Sequence, residues 1–234
     1  MELTPRLRAV AELVPRGARL ADIGTDHAYL PVYLLQRGVI GHAIAADLRS
    51  GPLERARQTG ERCGMAERME FRLCDGLGGV RPHEADTITI AGMGGETIAH
   101  ILAAAPWTKE GGVRLILQPM SSISDLRGWL WRHGYQILEE RLVQEGSTLY
   151  TILLAEGGRA DGFTLAEQWA GRQHHGMDSP LRTRLLDDLL RRARRAAQGL
   201  RRSTRAEDIP RLAQMEQLAE ELELMKEEWL QWHV

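Results

Sequence analysis

The sequence predicts an α/β fold: a doubly wound, mostly parallel sheet wrapped by helices, with an all-helical segment after it. Three observations predict it. Across residues 5–155 short apolar runs alternate with amphipathic stretches, the order left by strands joined through crossover helices. Several of the runs, such as Leu115-Ile116-Leu117, contain no polar residue, as in strands covered on both faces. Past residue 160 the strand-like runs cease and apolar residues recur three and four apart.

Taken in order, strands are expected at residues 19–23, 42–47, 69–73, 86–91, 113–118, 135–143 and 149–155. Helices are expected between them at residues 28–36, 52–63, 95–104 and 124–133. The last two strands are separated by only Gln144-Glu145-Gly146-Ser147-Thr148, too few residues for a crossover helix. The predicted sheet is therefore seven-stranded with its last strand antiparallel. Residues 156–162 carry three glycines and several charges and mark a domain boundary, giving domains 1–158 and 159–234. In the second, Leu186, Leu190, Ala193, Ala197 and Leu200 form one seam, and Met215, Leu218, Leu222, Met225, Trp229 and Trp232 another. Both have coiled-coil spacing, and the break at residues 203–210 folds them into an α-helical coiled-coil hairpin.

Composition narrows the function classes. A chain of 234 residues with 43% hydrophobic residues can bury a full α/β core and a smaller appendage. No apolar run approaches the roughly 18–20 residues of a membrane span, and the opening Met1-Glu2-Leu3-Thr4-Pro5-Arg6 has no signal-peptide character. A cytoplasmic, membrane-free protein is expected. Cys63 and Cys74 lack any CxxC or paired-histidine context, and His174-His175 stands alone, so two buried reduced thiols and no metal are expected. The net charge of −2 conceals an asymmetry. Residues 181–205 hold nine arginines against two aspartates, or +7; residues 206–232 hold eight acids against two bases, or −6. Pairing across the hairpin explains part of this, and nucleic acid remains open as a partner.

The chemistry concentrates at the carboxyl ends of the predicted strands. The first ends in Asp22-Ile23-Gly24-Thr25-Asp26-His27-Ala28-Tyr29. Of the three glycines in a G-x-G-x-x-G turn only Gly24 is present; Asp26 and Tyr29 occupy the other positions. Asp22 and Asp26 at the mouth of a helix would repel a pyrophosphate and attract the ammonium and sulfonium of S-adenosylmethionine (SAM). An ordinary tight turn with an aspartate cap is the competing reading. Asp47, ending the second strand, stands where ribose hydroxyls are held, and Asp75, followed by Gly76, is placed for an adenine amino group. Gly92, Met93 and Gly94 follow the fourth strand, where backbone must approach cofactor and acceptor closely, unless they only make a turn. Gln118 ends the fifth strand with an amide able to donate and accept at a base edge.

These segments carry a specific resemblance. Residues 22–31 (DIGTDHAYLP), Gly51-Pro52-Leu53, Cys74-Asp75-Gly76-Leu77, residues 90–95 (IAGMGG) and residues 115–119 (LILQP) resemble the bacterial tRNA (adenine-22-N1)-methyltransferase family over residues 1–156. The sequence departs from that pattern at Asp47, where glutamate is expected, and at Met120 and Thr151, where asparagine and glutamate are expected. The resemblance implies a Rossmann-like SAM-methyltransferase domain, SAM as methyl donor, N1 of a tRNA adenine as acceptor, and a C-terminal coiled coil. A closing antiparallel hairpin on a parallel sheet agrees with the SAM-binding version of this fold. Catalytic candidates are Asp26, for the positive charge that develops on the base, with His27 and Tyr29 beside it for stacking or hydrogen bonding. His27 as part of a capping network competes with that role. RNA-contacting candidates are Gln118 and the arginines Arg191, Arg192, Arg194, Arg195, Arg201 and Arg202, against the reading that they form a solvated face. A monomer is expected, the hairpin being the surface through which a dimer would form. Two other classes stay open: a methyltransferase of a small molecule, protein or other RNA, and a SAM-binding RNA-binding protein without catalysis.

Overall fold

The computed structural model describes residues 1–232. Its first compact unit spans Met1–Asp161 and the second begins at Gly162. The first unit runs α1 (Pro5–Glu12), β1 (Leu20–Ile23), α2 (Tyr29–Gln36), β2 (Ala43–Asp47), α3 (Ser50–Arg62), β3 (Met69–Leu73), β4 (Thr87–Gly94), α4 (Gly95–Ala103), β5 (Arg114–Ser121), α5 (Ile123–Arg132), β6 (Tyr135–Glu145) and β7 (Thr148–Gly157). Seven strands form one sheet in the order β3-β2-β1-β4-β5-β7-β6. β1 to β5 pair in parallel, and β7 inserts antiparallel between β5 and β6. The order reverses between β1 and β4, which opens a crevice at the strands' carboxyl ends.

Period-two alternation divides the core between the two faces of the sheet. Leu20, Ala43, Ala45, Ile116 and Ile152 pack toward α1 and α2. Ala21, Ile23, Ile44, Ala46, Ile88, Ile90, Leu115 and Leu117 pack with residues of α4 and α5 on the other side. The central strands are thus apolar on both faces, and their unbroken runs follow from that.

Three features of the first unit depart from the sequence expectation. α1 was not anticipated; Thr4 caps it, its hydroxyl accepting from the Leu7 N–H, and Pro5 starts it. β4 continues through the glycine run to Gly94, because a bulge lets Met93 and Gly94 keep pairing with β5. Cys63 and Cys74 are free as expected but half-buried, not buried.

The second unit consists of α6 (Leu165–Ala170), α7 (Arg182–Leu200) and α8 (Asp208–Trp232). Cross-helix pairs join Asp187 to Lys226, Arg194 to Glu223 and Arg201 to Glu216. Partner numbers fall along α8 as they rise along α7, so the two helices run antiparallel. Leu186, Leu190, Ala193, Ala197, Leu218, Leu222 and Trp229 of the predicted seams are buried, while Leu200, Met215, Met225 and Trp232 are half-buried. α6, also unanticipated, adds a third helix. A Thr164–Glu167 capping box starts it, Ala166 and Ala170 pack into the shared core, and Glu221 of α8 accepts from the Ala166 N–H.

Candidate active site

The turn from β1 into α2 holds two of the three non-glycine residues with positive φ among the described residues. Gly24 has φ +70°, and the non-glycine residues Asp26 and Ala28 follow at φ +47° and +55°. Each such L-residue costs on the order of 1–3 kcal/mol, a cost retained where geometry serves a site. Ala28 occupies the N-cap of α2 without a capping side chain, so Asp26 is not a helix cap. Its carboxylate instead accepts from Arg55 at 2.7 Å and lies 3.7 Å from His27 Nε2. The His27 and Tyr29 rings stack, 5.0 Å apart and 6° from parallel, with Tyr29 42% exposed. Gly24 is required twice over: its φ is positive, and a Cβ would come within 2.0 Å of the Met93 Cε lying across it.

Three acids stand at the ends of β1, β2 and β3. Asp22 is buried, accepting from Thr25 Oγ1 at 2.7 Å and from Thr89 Oγ1 at 2.6 Å. Burial pushes its carboxyl above the usual aspartate range; the two hydroxyls oppose that shift and the charge of Asp47 adds to it. Asp47 is held by backbone, accepting from the Arg49 N–H at 2.9 Å and the Asp26 N–H at 3.4 Å. Asp75 is exposed, and Gly76 beside it has φ +50°, its Cα facing Ile101.

At the ends of β4 and β5 the structure corrects two sequence assignments. Gln118 is fully buried, and both ends of its amide are used: Oε1 accepts from Arg6 at 2.6 Å and from the Gly92 N–H at 3.1 Å, and Nε2 donates to the Pro119 carbonyl at 2.9 Å. It is not among the residues that line the cleft. Its work is to take up the Gly92 N–H that the bulge at φ +81° removes from the ladder. Gly94 does not line the cleft and serves as the N-cap of α4 beside Ser121, whereas Gly92 lines the cleft. Gly95 is tighter still; a Cβ there would meet the Ser122 carbonyl at 2.5 Å.

One cleft of about 770 Å³ gathers the rest, within the usual size for a small-molecule site. Asp22, Gly24, Asp26, His27, Tyr29, Asp47, Asp75, Gly76, Gly92 and Met93 all line it. So do residues that sequence reasoning passed over: Arg6, Arg49, Arg55, Thr97 and His100. Arg6 carried a weak signal, an arginine behind a Thr-Pro helix start, but nothing local ties α1 to the crevice. Glu145 does so, accepting from the Arg6 N–H and the Thr4 hydroxyl; these bonds, with the Arg6 charge, hold its carboxyl below the usual range. The acids at β1–β3 and a cleft of about 770 Å³ suit a nucleoside that carries an ammonium and a sulfonium and disfavour a pyrophosphate there.

The arginines of α7 and of the turn that follows it divide into two sets. Arg191 pairs with Asp188, Arg194 with Glu223 and Arg201 with Glu216. Arg192, Arg195 and Arg202 are exposed and enter no ion pair among the described residues. Among the described residues no cluster of three or more His, Cys, Asp or Glu could hold a metal, and no helix is long and apolar enough to cross a membrane.

Comparison with known proteins agrees with this geometry. Residues 3–153 match the family model of the methyltransferase domain. That match, the sheet order and the acid-tipped strands define a methyltransferase of the Rossmann-like class. The Bacillus subtilis tRNA (adenine(22)-N(1))-methyltransferase is 42% identical over 161 residues, covering 69% of this chain and 68% of that protein. The crystal structure of the B. subtilis m1A22 tRNA methyltransferase TrmK aligns with a TM-score of 0.87 at 33% identity, over 96% of this chain and 99% of that one. M. capricolum TrmK, in complex with S-adenosyl-homocysteine, aligns at 0.80 with 25% identity, over 95% and 99%. The chain belongs to the tRNA (adenine(22)-N(1))-methyltransferase family.

Proposed function

We infer that the protein transfers a methyl group from SAM to N1 of adenine 22 in tRNA. The observation that carries this reading is the convergence of Asp22, Asp47 and Asp75, from three adjacent strand ends, on one cleft in a chain of this family. SAM, when bound, supplies an electrophilic methyl carbon on a sulfonium. Asp47, its orientation set by the Arg49 and Asp26 N–H groups, has lone pairs left for the two ribose hydroxyls. Asp75, free at the end of β3, accepts from the adenine amino group, and Gly76 keeps the backbone close to the ring. Asp22 and Asp26 complement the cationic end of the cofactor, while Gly24, Gly92 and Met93 shape the wall against it.

The acceptor needs orientation more than activation. Adenine N1 carries an in-plane lone pair, so no base has to generate a nucleophile, and the barrier falls mainly through alignment and exclusion of water. The exposed His27–Tyr29 stack offers a platform for the target base once it is turned out of its helical context; such stacking is worth roughly 1–3 kcal/mol. Methylation leaves a cationic ring, and Asp26, anchored by Arg55, is a fixed negative charge beside that platform. Arg192, Arg195 and Arg202, exposed and outside any ion pair among the described residues, hold tRNA phosphates. The protein acts as a monomer in the cytoplasm, on tRNA and without a metal.

The test is transfer of a tritiated methyl group from SAM to an unmodified tRNA transcript, with the modified nucleotide mapped afterwards. A single product at N1 of adenine 22 is expected, and it should vanish with a transcript that carries guanine in place of that adenine. Label elsewhere in the tRNA, or none, refutes the assignment.

A further inference from the structure

Nothing in the methyl-transfer reading uses Arg6. Its guanidinium lines the cleft next to Gly92, 3.8 Å from where a Cβ of that residue would stand. This is the β4–β5 half of the sheet edge, whereas the three acids stand at β1, β2 and β3. The arginine enters no ion pair among the described residues. Glu145 senses its charge but spends its hydrogen bonds on the Arg6 backbone N–H and the Thr4 hydroxyl. What holds the side chain is neutral: Gln118 Oε1 at 2.6 Å, with the Tyr150 ring 5.6 Å from the guanidinium carbon.

The choice of a buried amide matters. Gln118 is itself fixed at both ends, so it presents its oxygen in one orientation. A neutral acceptor orients a cation while leaving its charge available; a carboxylate at that position would orient it as well and cancel it. One Nη1 proton is used on Gln118, and the other guanidinium donors remain for a ligand. A half-buried, pre-oriented arginine with no ion-pair partner among the described residues is the arrangement that recognises an anion with two oxygens side by side.

We propose that Arg6 is an oxyanion receptor at the β4–β5 end of the cleft. The oxyanion is either the carboxylate of the cofactor's amino-acid moiety or a phosphate of the nucleotide being modified. The identity of these ligands rests on the methyl-transfer reading, whereas the site itself rests on the geometry of Arg6 and Gln118.

The test is calorimetric titration of the full chain, wild type, Arg6→Gln and Arg6→Lys, with two ligands. S-adenosylhomocysteine carries the carboxylate; 5′-methylthioadenosine lacks the amino-acid moiety. The same three proteins are titrated with tRNA at several salt concentrations. If the carboxylate is the ligand, Arg6→Gln weakens S-adenosylhomocysteine roughly ten- to a hundredfold, Arg6→Lys weakens it less, and 5′-methylthioadenosine binds all three alike. If a phosphate is the ligand, both nucleosides bind Arg6→Gln as they bind wild type. The salt slope of tRNA binding then falls by roughly 0.7–0.9, and Arg6→Lys restores it. The proposal is overturned if Arg6→Gln changes neither S-adenosylhomocysteine affinity nor the tRNA salt slope. Equal weakening of both nucleosides also overturns it, since that reports damage to the cleft and not a lost oxyanion contact. Because both nucleosides are titrated without turnover, the carboxylate arm reads out even if no methyl group reaches tRNA.

Discussion

Replacing Arg192, Arg195 and Arg202 with glutamine is expected to flatten the salt dependence of tRNA binding, and replacing Arg191, Arg194 and Arg201 is not. All six are exposed arginines of one stretch, but the second set is committed to Asp188, Glu223 and Glu216. A paired arginine must give up an ion pair worth roughly 0.2–1 kcal/mol before it can serve a phosphate. If each of the first three holds one phosphate, the slope of log affinity against log salt falls by about 2–2.7 in the triple variant. Between 50 and 200 mM salt, wild type then loses roughly fifteen- to fortyfold more affinity than the variant. Fluorescence anisotropy with labelled tRNA at four salt concentrations measures the slopes, with circular dichroism as the folding control. The Arg191/Arg194/Arg201 variant should show its loss chiefly as a lower melting temperature. An unchanged slope in a folded Arg192/Arg195/Arg202 variant refutes phosphate contact by this face. Equal flattening in both variants refutes the argument from ion pairing.

Further outcomes follow from the cleft. Asp47→Ala should weaken S-adenosylhomocysteine binding by about 1.5–3 kcal/mol in calorimetry, the usual worth of hydrogen bonds to a charged group. Gly24→Ala should lower the melting temperature, since a left-handed L-residue costs roughly 1–2 kcal/mol, and should weaken nucleoside binding by displacing Met93. Asp22 has a folded-state proton affinity raised by burial, so the folded protein holds more protons than the unfolded chain. Stability from this group is therefore lost as pH rises from the ordinary aspartate value through the raised one. Asp22→Asn should flatten that acidic limb in melting scans from pH 3.5 to 8 and raise the melting temperature at neutral pH while weakening cofactor binding. A chain ended after Asp161 should fold, bind S-adenosylhomocysteine with near-normal affinity and lose most of its tRNA affinity; unimpaired tRNA binding would place recognition wholly in the first unit.

Much of the site was legible because its residues follow strands whose apolar runs have clear ends. Asp22, Asp47 and Asp75 each lie at or just past such an end, so parallel pairing alone brings them to one edge. The strain in the β1–α2 turn was not legible. Asp26 and Ala28 adopt positive φ; aspartate tolerates that region better than most residues, but nothing about an alanine announces it, and the flanking strand and helix dictate the path between them. Gln118 shows the opposite failure: an amide at a strand end has the right chemistry for a base, but only the bulge at Gly92 and the arrival of Arg6 decide what it bonds.

The sequence by itself determined the layer order, the crossover positions, the antiparallel closing hairpin and the acids at the tips of β1, β2 and β3. These depend on periodicity, loop length and local residue type, which act over a few neighbours. Tertiary structure alone decided that α1 returns to the cleft, tied by Glu145 across 139 residues, and that Gln118 faces inward. It also decided which arginines of α7 and the turn after it are neutralised, since Arg194 and Arg201 find their partners 29 and 15 residues away. Each of these is a pairing between segments far apart in the chain. Such pairings depend on which surfaces the folded core brings together, and that choice is made by the packing of the whole unit and not by any local run of residues.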